Sequence, residues 1–276
     1  MTLGLSPGAV NPIGLSQVSP ADLCYASPPS FVGRKPGYMR DFIGKRQLKA
    51  LITSARRAVD NRRLGRCVDR LRAGAAIDRE LLRTARRAWG NEAWSADLRY
   101  LEEGTTRASR STAPILECGT GLTTLLACAV AERNGVPVHC LEQDASWVDL
   151  VQGALARYGL SARVSYAPLV PHDDFVWYDV RGIELPKRFG LVLCDGPAVL
   201  EPWGPELRAA WRVGVLPVLS KQGITVDEVL LDDADEPRAP RLLERWRREF
   251  GCEQEVIGTA EGGMAVMRPR PTPPAN

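Results

Sequence analysis

From Ala113 onward, short apolar runs with strand character alternate with amphipathic helical stretches. That alternation restricts the chain to a mainly parallel sheet covered by helices on both faces. The runs are Pro114–Glu117, Pro137–Glu142, Ala162–Ala167, Phe189–Cys194 and Ile224–Leu231. Helical periodicity follows at Thr123–Asn134, Ser146–Tyr158, Pro205–Leu216 and Ala239–Phe250. Two closing runs, Gln254–Thr259 and Met264–Met267, flank Glu261-Gly262-Gly263 and read as a hairpin that adds an antiparallel strand at one edge. Sheets of this kind bind ligands beyond the carboxyl ends of their strands, so the residues just after each strand are the ones to inspect.

Ahead of the alternating region the chain reads differently. Residues 1–36 are rich in Pro, Gly and Ser and are expected to be a disordered tail, as is the Pro-rich end, 269–276. Residues 37–110 read as a basic helical extension. Met39, Phe42, Ile43, Leu48, Leu51, Ile52, Ala55, Val59, Leu64, Cys67, Val68 and Leu71 recur at helical spacing, and further helices are expected over Asp78–Trp89 and Asn91–Glu103. The net charge of +3 conceals a division: Arg34 to Arg110 holds 20 Lys+Arg against 9 Asp+Glu, whereas Ser111 onward holds 16 against 23. The basic part therefore meets an anion or lies against the acidic part. Topology suits it to cover a ligand cleft as a lid.

The seven cysteines form no CxxC pair, and Cys118, Cys140 and Cys194 sit in apolar strand-like runs, as small hydrophobes in a reducing compartment would. The first 21 residues lack the basic start and apolar core of a signal peptide. The uncharged stretch Cys118–Ala131 is too short to span a bilayer. The expectation is a cytoplasmic protein with no membrane span.

The first strand runs into Glu117-Cys118-Gly119-Thr120-Gly121-Leu122-Thr123-Thr124. Gly119 and Gly121 permit a sharp turn and close approach of a ligand, and the following helix start supplies free N–H groups. The third glycine of a dinucleotide fingerprint is absent, with Thr124 in its place. The acid ahead of the turn, Glu117, would repel a pyrophosphate and suit a cationic amino acid group. Glu142 closes the second strand, 23 positions after Gly119, where a carboxylate can accept both hydroxyls of a ribose. Asp144 is the better candidate for capping the next helix.

With LECGTGLTT, HCLEQDASW, SYAPLVPHDDFVWYD, FGLVLCDGP and VLLDDAD in this order, the chain from about Asn91 to Met267 resembles the class I S-adenosylmethionine-dependent methyltransferases. More narrowly, it resembles a bacterial subgroup of methyltransferase-domain proteins whose acceptor is usually unassigned. The resemblance implies an α/β doubly wound, Rossmann-like, seven-stranded sheet over 111–268, with order 3-2-1-4-5-7-6 and strand seven antiparallel. It implies S-adenosylmethionine as cofactor, with Glu117, Gly119, Thr120, Gly121 and Thr123 toward the methionine part. Glu142 and Gln143 would meet the ribose, and Pro168 and Leu169 after Ala167 the adenine. The family often has a polar residue where Leu169 stands.

Asp195, after the fourth strand, would lie close to the transferred methyl and is the first candidate for the acceptor side. His172, among acids in the Pro171–Asp179 connection, is a candidate general base, while His139 lies inside a strand. Trp177 and Tyr178 are expected to pack beneath that connection. Asp195, Asp232 and Asp233 match the layout by which catechol-type O-methyltransferases hold Mg²⁺, except that those enzymes have an amide where Asp233 stands. By family analogy the acceptor is a hydroxyl of a small molecule or saccharide. Two other readings compete: a nicotinamide-dependent oxidoreductase, opposed by the missing glycine, and an RNA-binding or RNA-modifying protein. The acidic second part and the lack of aromatic–basic interleaving oppose nucleic acid, while an RNA acceptor stays open.

Overall fold

The computed structural model describes residues 37–91, 95–198, 203–258 and 262–270, with the side chains of 37–49, 51, 52 and 209 excepted. The expected tail 1–36, residues 271–276 of the expected tail 269–276, Trp94 and Glu261 lie outside the described residues.

Three helices precede the sheet: α1 (Gly37–Arg72), α2 (Arg79–Trp89) and α3 (Leu98–Arg110). The alternating part follows as β1 (Ile115–Cys118), α4 (Leu122–Ala131), β2 (Val138–Glu142), α5 (Ala145–Tyr158) and β3 (Arg163–Tyr166). Next come the hairpin β4 (Leu169–Pro171) and β5 (Val176–Tyr178), then β6 (Arg188–Phe189), β7 (Leu191–Cys194), α6 (Pro205–Ala209), α7 (Val215–Lys221) and β8 (Thr225–Val226). The chain closes with β9 (Val229–Leu231), α8 (Ala239–Phe250), β10 (Glu253–Gly258) and β11 (Gly263–Arg268).

Seven of these strands form one sheet in the order β3-β2-β1-β7-β9-β11-β10. Numbered by themselves along the chain, they run 3-2-1-4-5-7-6, as expected. Pairing is parallel except at β11, which runs antiparallel to both β9 and β10. Every residue of β1, β2, β7 and β9 is buried, which explains why these strands are mostly apolar, with Glu117, His139 and Glu142 the polar residues among them. Helix starts follow the acids that the sequence offers: Asp78, Asp97 and Asp144 each accept backbone N–H bonds from the first turns of α2, α3 and α5.

Local pattern and structure part at four places. The third helix begins at Leu98 and runs on to Arg110 because Asp97 caps it and Gly104 lets it approach Leu193 of β7. The expected helix Pro205–Leu216 breaks into α6 and α7, with Arg212 at φ 55° between them and Gly214 packed so closely on Trp177 that a Cβ would collide. Of the expected strand Ile224–Leu231, only Val229–Leu231 joins the main sheet, while β8 pairs with β6. The Pro171–Asp179 connection contains the end of one hairpin strand and all of the other.

The sheet separates two cores. Ile115, Cys140, Leu193 and Leu230 face one that also contains Leu125 and Leu126 of α4. Leu64, Val68 and Leu71 of α1, Leu82 of α2 and Leu101 of α3 belong to this same cluster, each nearly inaccessible. Burying a leucine contributes about 1.5–3 kcal/mol. Within this core α1 packs on α2 and α4, and α3 on α4 and β7. Leu116, Cys118, Trp177, Tyr178, Phe189 and Trp246 build the opposite core. The buried cysteines among the described residues are unpaired. No described helix is long and apolar enough to cross a membrane.

Candidate functional site

The carboxyl ends of β1, β2 and β7 converge on the glycine turn. Gly119 leaves β1 at φ 88°, and a Cβ there would stand 3.2 Å from the Gly196 nitrogen beyond β7. Asp195 and Gly196 both donate backbone N–H bonds to Cys118 O, so the two loops are in contact. Around Gly121 a Cβ would meet nothing within 4 Å, which leaves that side of the turn open.

Thr124, where a third glycine would make a dinucleotide turn, has a different task. Its hydroxyl accepts the Gly121 N–H at 2.9 Å and donates to Glu117 Oε2 at 2.6 Å. Glu117 therefore points inward. It is 3% exposed, with Cys140 Sγ at 3.5 Å. Burial pushes its pKa up to about 8, against the pull of Thr124 and Cys140. Its bond to Thr124 and that residue's bond to Gly121 link Glu117 to the turn. Its inward direction follows from strand alternation, because Leu116 and Cys118 face the other core.

Glu142 does reach the turn. Its Oε2 accepts the Thr120 N–H at 3.0 Å and the Thr120 hydroxyl at 2.8 Å, and Oε1 accepts the N–H groups of Gln143 and Asp144. Burial raises its pKa and these donors oppose the rise. Four bonds fill a carboxylate, so a ribose diol binding here would exchange with the Thr120 pair. Trp147 Nε1–H donates to Thr120 O at 2.6 Å, and Gln143 Nε2 donates to Ala198 O at 2.8 Å, tying β2 to the loop after β7.

Thr123 is buried and turned toward Gly104 of α3. Pro168 O accepts the Asp179 N–H, and Leu169, half-buried, opens β4. Trp177 and Tyr178 are core residues, as expected, and a Cβ at Gly196 would strike the Tyr178 hydroxyl. His139 is buried in β2 with its ring edge-on to Phe189. His172 is not brought to the acids beyond β7 and β9. It lies in the β4–β5 hairpin, stacked on Phe175, and faces a cavity of about 500 Å³ shared with Val170, Tyr178, Arg181, Val218 and Lys221. Burial, then Lys221, lower its pKa.

Asp195, Asp232 and Asp233 do come together, with oxygens within 4.8 Å of one another. Burial raises the pKa of Asp195, opposed by Arg212 and reinforced by Asp233. In kind, three carboxylates suit a hard divalent cation. In arrangement they do not fit one, because Arg212 Nη2 already lies 3.1 Å from Asp195 and 2.8 Å from Asp233. Nothing in the local sequence pattern marked Arg212, which reads as one more arginine inside a helix.

No protein-family model and no curated protein sequence matches the chain. Solved structures do. The SAH-bound methyltransferase PaMTH1 of Podospora anserina superposes with a TM-score of 0.51 at 12% identity, covering 70% of this chain and 86% of that one. The fold is that of the class I methyltransferases. Cofactor-bound Rv0187 from MTB is similar at a TM-score of 0.48 and 16% identity, covering 66% of this chain and 86% of its own. An O-methyltransferase from Bacillus cereus in complex with SAH gives 0.47 and 12%, with coverages of 70% and 90%.

Proposed function

We propose that the chain is an S-adenosylmethionine-dependent methyltransferase whose acceptor is a hydroxyl of a small molecule or saccharide. One observation carries the reading: Glu142, at the end of β2, is hydrogen-bonded to the glycine turn beyond β1 and stands where both hydroxyls of a nucleoside ribose can be accepted. Gly119, Thr120 and Gly121 would line the methionine side, and Gln143, Pro168 and Leu169 the base side. When bound, the cofactor supplies an electrophilic methyl on a sulfonium sulfur.

The chain's own groups align, exclude water and take a proton. Asp195, whose pKa burial raises against the pull of Arg212, is the base proposed for it. Its carboxylate would accept the acceptor hydroxyl's proton as the oxygen bonds to the methyl carbon and the carbon–sulfur pair returns to sulfur. His172 has no part in this scheme. A nicotinamide reading is opposed by Thr124, which stands where a dinucleotide fold has a third glycine for close helix–strand packing. An RNA acceptor is the second reading, favoured by the exposed Arg56, Arg57, Arg62, Arg63 and Arg66 of α1. Salt-sensitive RNA binding by the purified chain would support it.

Calorimetric titration with S-adenosylmethionine and with NAD tests the proposal. Saturable binding of the first alone is expected; binding of NAD alone contradicts it. S-adenosylhomocysteine production against pools of hydroxylated acceptors then identifies the substrate.

A further inference from the structure

The three acids arrive from two loops, Asp195 beyond β7 and Asp232 and Asp233 beyond β9, and carboxylates this close repel one another unless a cation lies among them. A cation does. Arg212 Nη2 donates to Asp195 Oδ1 at 3.1 Å and to Asp233 Oδ2 at 2.8 Å, and Nη1 donates to the Asp232 carbonyl at 2.8 Å. The arginine side chain is 6% exposed, whereas Asp195 and Asp233 are 33% and 48% exposed, so the positive charge lies inside the cluster beside buried Asp232 while Asp195 and Asp233 face outward. Its guanidinium lies over the Trp211 ring, 4.2 Å from the centroid.

The backbone is committed to this arrangement as well. Among the described residues, Arg212 and Asp233 are the two non-glycine residues at positive φ, 55° and 54°, and they are ion-pair partners. Left-handed backbone is disfavoured for a long side chain and is retained where the surroundings impose it. The helix break between α6 and α7 is what turns Arg212 inward.

We infer that Arg212 is a resident cation, filling from the protein's own chain the place a divalent ion takes in a three-carboxylate centre. The acids bind no divalent ion, and Arg212 is a positioning residue that sets where the Asp195 carboxylate lies. An arriving metal would have to displace a guanidinium bonded to two loops and a carbonyl. The consequence that the acceptor side works without metal rests on the proposed methyl transfer, whereas the absence of ion binding does not.

The test is titration of the full chain with Mn²⁺, read by calorimetry and by the shift in Tm. Wild type is expected to show neither stoichiometric heat nor a rise in Tm at millimolar ion. Arg212→Met removes the charge, keeps much of the volume and is expected to bind a single Mn²⁺ with a rise in Tm. Arg212→Lys, which restores a cation, is expected to return to wild-type behaviour. Stoichiometric Mn²⁺ binding by wild type that Asp233→Asn abolishes would overturn the inference. So would a folded Arg212→Met variant that binds no ion. If that variant fails to fold, wild type and Arg212→Lys decide. Chelator is expected to leave S-adenosylhomocysteine formation unchanged, and its loss on chelation would overturn the metal-free consequence. A chain forming no product under any condition would count against the methyltransferase reading and leave the ion result standing.

Discussion

Replacing Glu117 with glutamine should stabilise the protein at alkaline pH and leave it nearly unchanged in mild acid. The side chain is 3% exposed, beneath the start of α4, and burial raises its pKa from 4.5 to about 8. The folded state therefore keeps the proton over a range in which the unfolded chain has released it. Stability from this source is fully present below about pH 4.5 and is lost as pH climbs through about 8. Each pH unit in that window costs about 1.4 kcal/mol, so the loss between mild acid and pH 8.5 is about 3–4 kcal/mol. Glutamine is isosteric, stays neutral and still offers an oxygen to the Thr124 hydroxyl. Urea unfolding of wild type and Glu117→Gln at several pH values measures the effect, and taking their difference cancels the other titrating groups. The two should agree within about 1 kcal/mol in mild acid, and the variant should lead by about 3 kcal/mol at alkaline pH. A difference that is constant with pH would refute the reasoning.

Leu71→Ala should cost about 2–5 kcal/mol in denaturant unfolding, because the side chain is fully buried where α1 joins the core beneath the sheet. A change near zero would mean that α1 is dispensable to the fold. Gly119→Ala places a non-glycine at φ 88° with its Cβ 3.2 Å from the Gly196 nitrogen, so it should lower both Tm and S-adenosylhomocysteine affinity, at a cost of about 1–3 kcal/mol. Unchanged affinity would argue that the turn does not hold the ligand.

Much of the architecture could be read along the chain because its signals are local. Strands buried on both faces spell mostly apolar runs, as in β1, β2 and β7, and Asp78 and Asp144 announce the helices they cap. Glu142 was locatable for the same reason: it is the last residue of its strand. Glu117 was found but its direction was not, although Leu116 and Cys118 lining one core already consign their neighbour to the other. Arg212 could not be found at all. Its role depends on a helix interrupted where Gly214 packs on Trp177, residues 37 positions apart, and on acids from two distant loops. The place of His172 was equally hard to read: acids adjacent in sequence surround it, and the hairpin carries it to the cavity beside Lys221.

A crystal structure with S-adenosylhomocysteine bound tests the central claim most directly. Both ribose hydroxyls should lie within hydrogen-bond distance of the Glu142 carboxylate, with the Thr120 hydroxyl released from it. A ligand seated elsewhere, with Glu142 still bonded to Thr120, would contradict the account.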